Sequence, residues 1–140
     1  MHKKRAVIVS AVVFIVVLAT ILIASQHYYY SNSQKMVNAL KVMRSEPEKG
    51  LELCGELSIE DYARDCYTAY LSSEIERIRA ENTIPEDASE QEKRDARINT
   101  LNEISSMVDD VCNRELMSES SACSAVRASI GVQMNGAMNS

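Results

Sequence analysis

Residues 6–24 read AVIVSAVVFIVVLATILIA, and this run decides how the rest of the chain is read. Ser10 and Thr20 are its only polar residues, and none of its residues carries a charge. At about 1.5 Å of rise per residue, a helix of this length just crosses a hydrocarbon layer of about 30 Å. A core helix of a soluble protein shows one apolar stripe, whereas this run is apolar all round. It is therefore read as a membrane span.

The flanks set its orientation. His2, Lys3, Lys4 and Arg5 precede it, and His27, Tyr28, Tyr29 and Tyr30 follow. Basic residues favour the cytoplasmic side and tyrosines the water interface, so Lys3, Lys4, Arg5, Tyr28, Tyr29 and Tyr30 are expected at the two membrane surfaces, N-terminus inside. A cleaved signal peptide is the competing reading. Its apolar core is shorter and ends in a small-x-small site, whereas here Leu22 stands at the −3 position before Ala24. The expectation is an uncleaved signal-anchor in the cell membrane with an extracytoplasmic C-terminal domain. The divisions are a basic cytoplasmic segment 1–5, the span 6–24, a juxtamembrane collar 25–33, a helical domain 34–132 and a flexible tail 133–140.

Charge narrows the partners. The 140 residues carry 15 Lys and Arg against 20 Asp and Glu. Removing Lys3, Lys4 and Arg5 leaves 12 basic residues against the 20 acidic ones, so the outer segment is near −8. Nucleic-acid binding through a basic face is disfavoured. The expected partners are the membrane and either another protein or a second copy of this chain.

Past the collar, Met36, Val37, Leu40 and Met43 recur at helical spacing, either as an outward continuation of the span or as a separate helix. Ser45-Glu46-Pro47-Glu48 reads as a helix start, with Ser45 as N-cap and Glu48 reaching back, and Gly55 ends that helix. Ser58 with Asp61 reads as another start, opening a stripe through Tyr62, Cys66, Tyr70, Leu71 and Ile78. A polar connector is expected around 81–91. A long helix then runs from about Ala88 to Leu116 on Ile98, Leu101, Ile104, Val108 and Val111. The serines Ser118, Ser120 and Ser121 interrupt it, and a last short helix through Val126 and Ile130 precedes a frayed 131–140. No period-two stretch argues for a strand. The fold class is all-α: an N-terminal transmembrane helix followed by a small disulfide-stapled helical-hairpin bundle.

Cys54, Cys66, Cys112 and Cys123 all follow the span. An even cysteine count in a small domain on the oxidising side of a membrane reads as a disulfide framework. Metal binding fits less well, since tight C-x-x-C pairs are absent and no histidine follows His27. Cys54-Gly55-Glu56-Leu57 and Cys112-Asn113-Arg114-Glu115-Leu116 look faintly duplicated, which suits two helix-turn-helix corners, each closed locally. A nested pairing, Cys54 with Cys123 and Cys66 with Cys112, stays open. Cys112 and Cys123, 11 residues apart, would share a face on an unbroken helix, an arrangement that resembles the twin-cysteine hairpins of the mitochondrial intermembrane space, which use a different spacing. Gly55, Ser58 and the serine cluster favour breaks and hence local closure.

The segment Leu51-Glu52-Leu53-Cys54 with Arg64-Asp65-Cys66-Tyr67 resembles an "LC…RD-CY" helical-hairpin pattern found in uncharacterised exported proteins of archaea and related uncultured lineages. The resemblance covers fewer than about twenty residues. It implies an exported helical module and no activity.

No phosphate-cradling loop, histidine-based nucleophile or paired metal motif is present, so an enzyme is not expected and no cofactor is implied. Asp109 and Asp110 point about 100° apart on a helix and read as a solvated face. The acidic stretch 86–92 lacks EF-hand spacing. Tyr62, Tyr67 and Tyr70 suit either a recognition surface or a core with hydroxyls at its rim. Met36, Met43 and Met107 read as core filler, and Met134 and Met138 as tail residues.

The leading function is thus a non-catalytic interaction module, an adaptor or accessory subunit of an envelope complex. A structural subunit, pilin-like or spanin-like, is the alternative, and Lys4-Arg5-Ala6 faintly resembles an archaeal prepilin processing site. A small sensor ectodomain is the third reading, and it requires a pocket.

Overall fold

The computed structural model describes residues 2–139, with side chains described for residues 12–138. The side chains of Lys3, Lys4 and Arg5 lie outside the described residues. Five helices follow in order: α1 His2–Met43, α2 Pro47–Gly55, α3 Glu60–Glu81, α4 Glu90–Cys112 and α5 Ser121–Asn139. There is no strand among the described residues.

Helix α1 settles the question of the collar. Neither glycine nor proline occurs between His2 and Met43, so nothing interrupts the helical ladder, and the span and collar are one 42-residue helix of roughly 63 Å. Its segment Val12–Met43 is long and apolar enough to cross a membrane. Within that segment Val12 to Ile23 carry exposed apolar side chains, while Asn32, Ala39 and Met43 are buried against the head. One helix is therefore both stalk and core element.

Helices α2 to α5 fold back on one another in antiparallel order, α2 and α3 packing on α1, α4 on α3, and α5 on α4. Leu71, Ile78, Ile104, Val108, Val111 and Met117 form the centre of the core together with all four cysteines. Tyr67 and Tyr70 are buried and Tyr62 half-buried, which answers the question left open for the tyrosines.

The helix ends differ from expectation in several places. Ser45 does not cap α2: its hydroxyl donates back to the Val42 carbonyl at 3.2 Å. Glu46 is the N-cap residue without a side-chain cap, and Pro47 opens the helix. The turn folds tightly onto the Val42 carbonyl at the end of α1, which accepts from the Ser45 and Glu46 N–H groups at 3.0 and 2.8 Å as well as from the Ser45 hydroxyl. Ser58 likewise caps nothing, because its backbone is engaged by α1. Ile59 is the N-cap residue of α3, whose first turn carries Glu60 and Asp61 at the positive end of the helix dipole. Ser89 starts α4 through a capping box with Glu92, which the sequence shows as S-x-x-E. Helix α4 stops at Cys112, one turn short of the expected Leu116, and Ser120 starts α5 by accepting from the Ala122 N–H at 3.2 Å.

The expected flexible tail 133–140 is helical as far as Asn139. The C-terminal half of α5 lies beside Leu101 and Ile104 of α4 and the end of α3, and it buries Ile130 and Ala137.

Candidate functional site

Three features set the geometry of the head. The first is a fastening between α1 and the α2–α3 corner. Asn32 is 3% exposed. Its Nδ2 donates to the Tyr28 carbonyl at 3.0 Å and its Oδ1 accepts from the Ser58 N–H at 2.9 Å. Tyr28 Oη donates to the Ser58 carbonyl at 3.2 Å. Both backbone groups of Ser58 are thus tied to α1, at a level only about one helical turn beyond Ala24. Tyr28 also meets Tyr29 edge to face at 6.0 Å, while Tyr29 and Tyr30 face outward.

The second is a pair of covalent corners. Cys54 bonds Cys66 and Cys112 bonds Cys123, with Cα separations of 5.5 and 5.8 Å. Local closure is the pairing found, and each bridge spans one helix-turn-helix corner. Arg114 lies over the Tyr67 ring at 5.6 Å, a cation–π contact beside the first bridge. Arg127 links α5 to α4 through Asp109 and Asn113.

The third feature is a cleft of about 840 Å³ between α2 and α4 with α3 as its floor. Glu46, Glu48 and Glu52 stand on the α2 wall, Glu103 and Met107 on the α4 wall, and Tyr70, Glu74, Arg77 and Ile78 on the floor. Glu74 is 5% exposed and pairs with Arg77 at 2.7 Å, which also pairs with Glu81. A buried carboxylate needs such a partner, and the i, i+3 spacing supplies it within α3. The hydrogen bonds that Arg77 donates, first to Glu74 and then to Glu81, hold its guanidinium above its ordinary pKa. Tyr70 is 6% exposed. Burial first, then the carboxylates of Glu74, Glu48 and Asp110, push its phenol up from the ordinary value, so it stays neutral.

No protein-family model, curated protein or solved structure matches this chain.

All four cysteines sought in the sequence meet as pairs, and Tyr28 is engaged in the head rather than standing only at an interface. Among the described residues, no group of three His, Cys, Asp or Glu side chains is placed to hold a metal ion. Sequence reading passed over Asn32, Gly50 and Glu74. Asn32 and Glu74 each interrupt an apolar stripe at an inward position, Asn32 four before Met36 and Glu74 four before Ile78. A polar residue in such a register is the available signal.

Proposed function

We propose that this chain is a membrane-anchored, non-catalytic interaction module, with its N-terminus cytoplasmic and its head extracytoplasmic, acting as an adaptor or accessory subunit of an envelope complex. The continuity of α1 from the apolar segment into the core of the head carries this reading. A head clamped at Ser58 to Tyr28 and Asn32 cannot swing on a linker, so it presents its faces at a set height and orientation. The two disulfides suit an oxidising compartment and hold the helical corners in register. With all four cysteines bridged and no histidine beyond His27, the head offers neither a thiol nucleophile nor an imidazole base.

The test is site-specific photo-crosslinking in native membranes from exposed head positions such as Val37 and Val132, with protease protection of intact cells reporting which side the head occupies. A discrete crosslink to another envelope protein, with the head cleaved from outside, supports the adaptor. A head without any discrete crosslink, or one protected inside the cell, overturns it.

One observation favours the filament-type alternative. An exposed apolar helix half joined without a break to a head is the arrangement by which stalk helices bundle in an assembly. Crosslinkers at Phe14, Leu18 and Leu22 yielding ladders of this chain alone would select that alternative.

A further inference from the structure

We propose that the α2–α4 cleft binds a basic segment of a partner protein, with an arginine or lysine head group donating to the Tyr70 hydroxyl. The proposal rests on the interaction-module reading and specifies the partner's chemistry.

The cleft's carboxylates are unequally satisfied. Glu46 is paired with Lys49 and Glu74 with Arg77. Glu48 and Glu52 on the α2 wall have no ion pair or hydrogen bond among the described residues, and Glu103 on the α4 wall meets only the Asn82 amide at 3.2 Å. Unneutralised negative charge therefore faces the opening from both walls, and a concave low-dielectric site concentrates such a field.

Tyr70 is an independent observation. Its ring is almost wholly buried, yet its hydroxyl makes no hydrogen bond among the described residues and it lines the cleft. The hydroxyl oxygen is the part of the side chain that reaches the solvent of the cleft, and it is open to accept a hydrogen bond from a ligand. The raised pKa of the phenol agrees with a neutral ring presented beneath negative charge.

Shape separates the possible cations. The carboxylates are not grouped to chelate a metal ion. At about 840 Å³ the cleft lies within the size range of ligand pockets and has room for a basic side chain with its flanking backbone. The half-buried Met107 offers apolar surface for the methylene stem of a basic side chain, while the head group reaches Glu48, Glu52 or Glu103 and the Tyr70 hydroxyl.

The experiment uses the full chain in nonionic detergent micelles at physiological salt and follows the fluorescence anisotropy of a labelled RARAR pentapeptide against a labelled EAEAE control. The unaltered protein is expected to bind RARAR saturably and EAEAE not at all. E48Q/E52Q should weaken binding about tenfold and Y70F, which removes the hydroxyl acceptor, about threefold. E86Q/D87N, which removes the same charge from the α3–α4 connector, should change it by less than about twofold. Absence of saturable RARAR binding, or equal weakening by E86Q/D87N, overturns the proposal. Photo-crosslinking of the same variants separates the two readings. A partner still captured by E48Q/E52Q, together with unselective peptide binding, sinks the cleft alone, whereas loss of every head crosslink in the unaltered protein sinks the module reading as well.

Discussion

Gly50 of α2 lies so close to Met43 of α1 that a Cβ on Gly50 would stand 2.6 Å from both Met43 Cα and Cβ. The obstacle is partly backbone, which no rotamer change can clear, so only glycine lets α2 fold back against the last turn of α1. Gly50→Ala should therefore separate the two helices and cost about 1–3 kcal/mol despite alanine's better helix propensity. Gly136→Ala is the matched control, since nothing lies within 4 Å of its Cβ position. It should stabilise by up to about 1 kcal/mol. Chemical unfolding of both variants in micelles checks the pair, and similar midpoints would refute the close-approach account.

Asn32→Ala should leave the Ser58 N–H without its partner. Ser58 itself is exposed and this bond is half-buried, so its loss should cost about 1–1.5 kcal/mol, whereas Tyr28→Phe, which removes one exposed hydrogen bond, should cost about 0.5 kcal/mol. Hydrogen exchange at the Ser58 amide should accelerate far more in the first variant than in the second. Unchanged exchange in Asn32→Ala would mean that the corner does not depend on this fastening.

Each disulfide closes a short loop, with sequence separations of 12 and 11 residues. On the chain-entropy estimate, replacing either pair by serines should cost about 3 kcal/mol. Because each bridge closes its own corner, the two losses should add when both pairs are removed. Thermal unfolding of the two pairwise variants and the combined one tests this, and strong non-additivity would point to coupling through the shared core.

Low pH should loosen the start of α4 before the rest of the head. Hydrogen bonds from the Ser89 side chain, and then from its backbone, hold the Glu92 carboxyl below the ordinary carboxylate value. A carboxyl depressed in the folded state adds stability above its unfolded value, and that stability is lost as pH falls through the folded value. Amide exchange in the first turn of α4 should therefore rise under acid conditions, and Glu92→Gln should flatten that rise. Equal acid sensitivity in the variant would assign the effect to other groups.

Much of this architecture is local and so could be read along the chain. The apolar length of residues 6–24, the stripe through Cys66, Tyr70 and Ile78, and the short spacing within each cysteine pair follow from neighbours in sequence. The capping box at Ser89 and Glu92 was equally legible but lay within a stretch read as connector. Pro47 opens α2 as its position suggests, but the serine signals misled at Ser45 and Ser58, because a hydroxyl or backbone amide takes whichever partner the tertiary turn brings nearest. The 133–140 segment reads as a loose tail because its own composition is small and polar. Its helix is supported instead by burial of Ala137 near the middle of α4 and the end of α3.

By itself, the sequence determined a helical chain with an apolar N-terminal helix, and a head whose cysteines come in two short-range pairs. Those features depend on periodicity, charge and loop length, which act between residues a few positions apart. The tertiary structure alone decided that the stalk enters the core, that Asn32 meets Ser58, that Gly50 must lack a side chain, and that Glu48, Glu52 and Glu103 face one cleft. Each of these joins residues on different helices, and such contacts exist only once buried surface and tight turns have fixed how the helices pack.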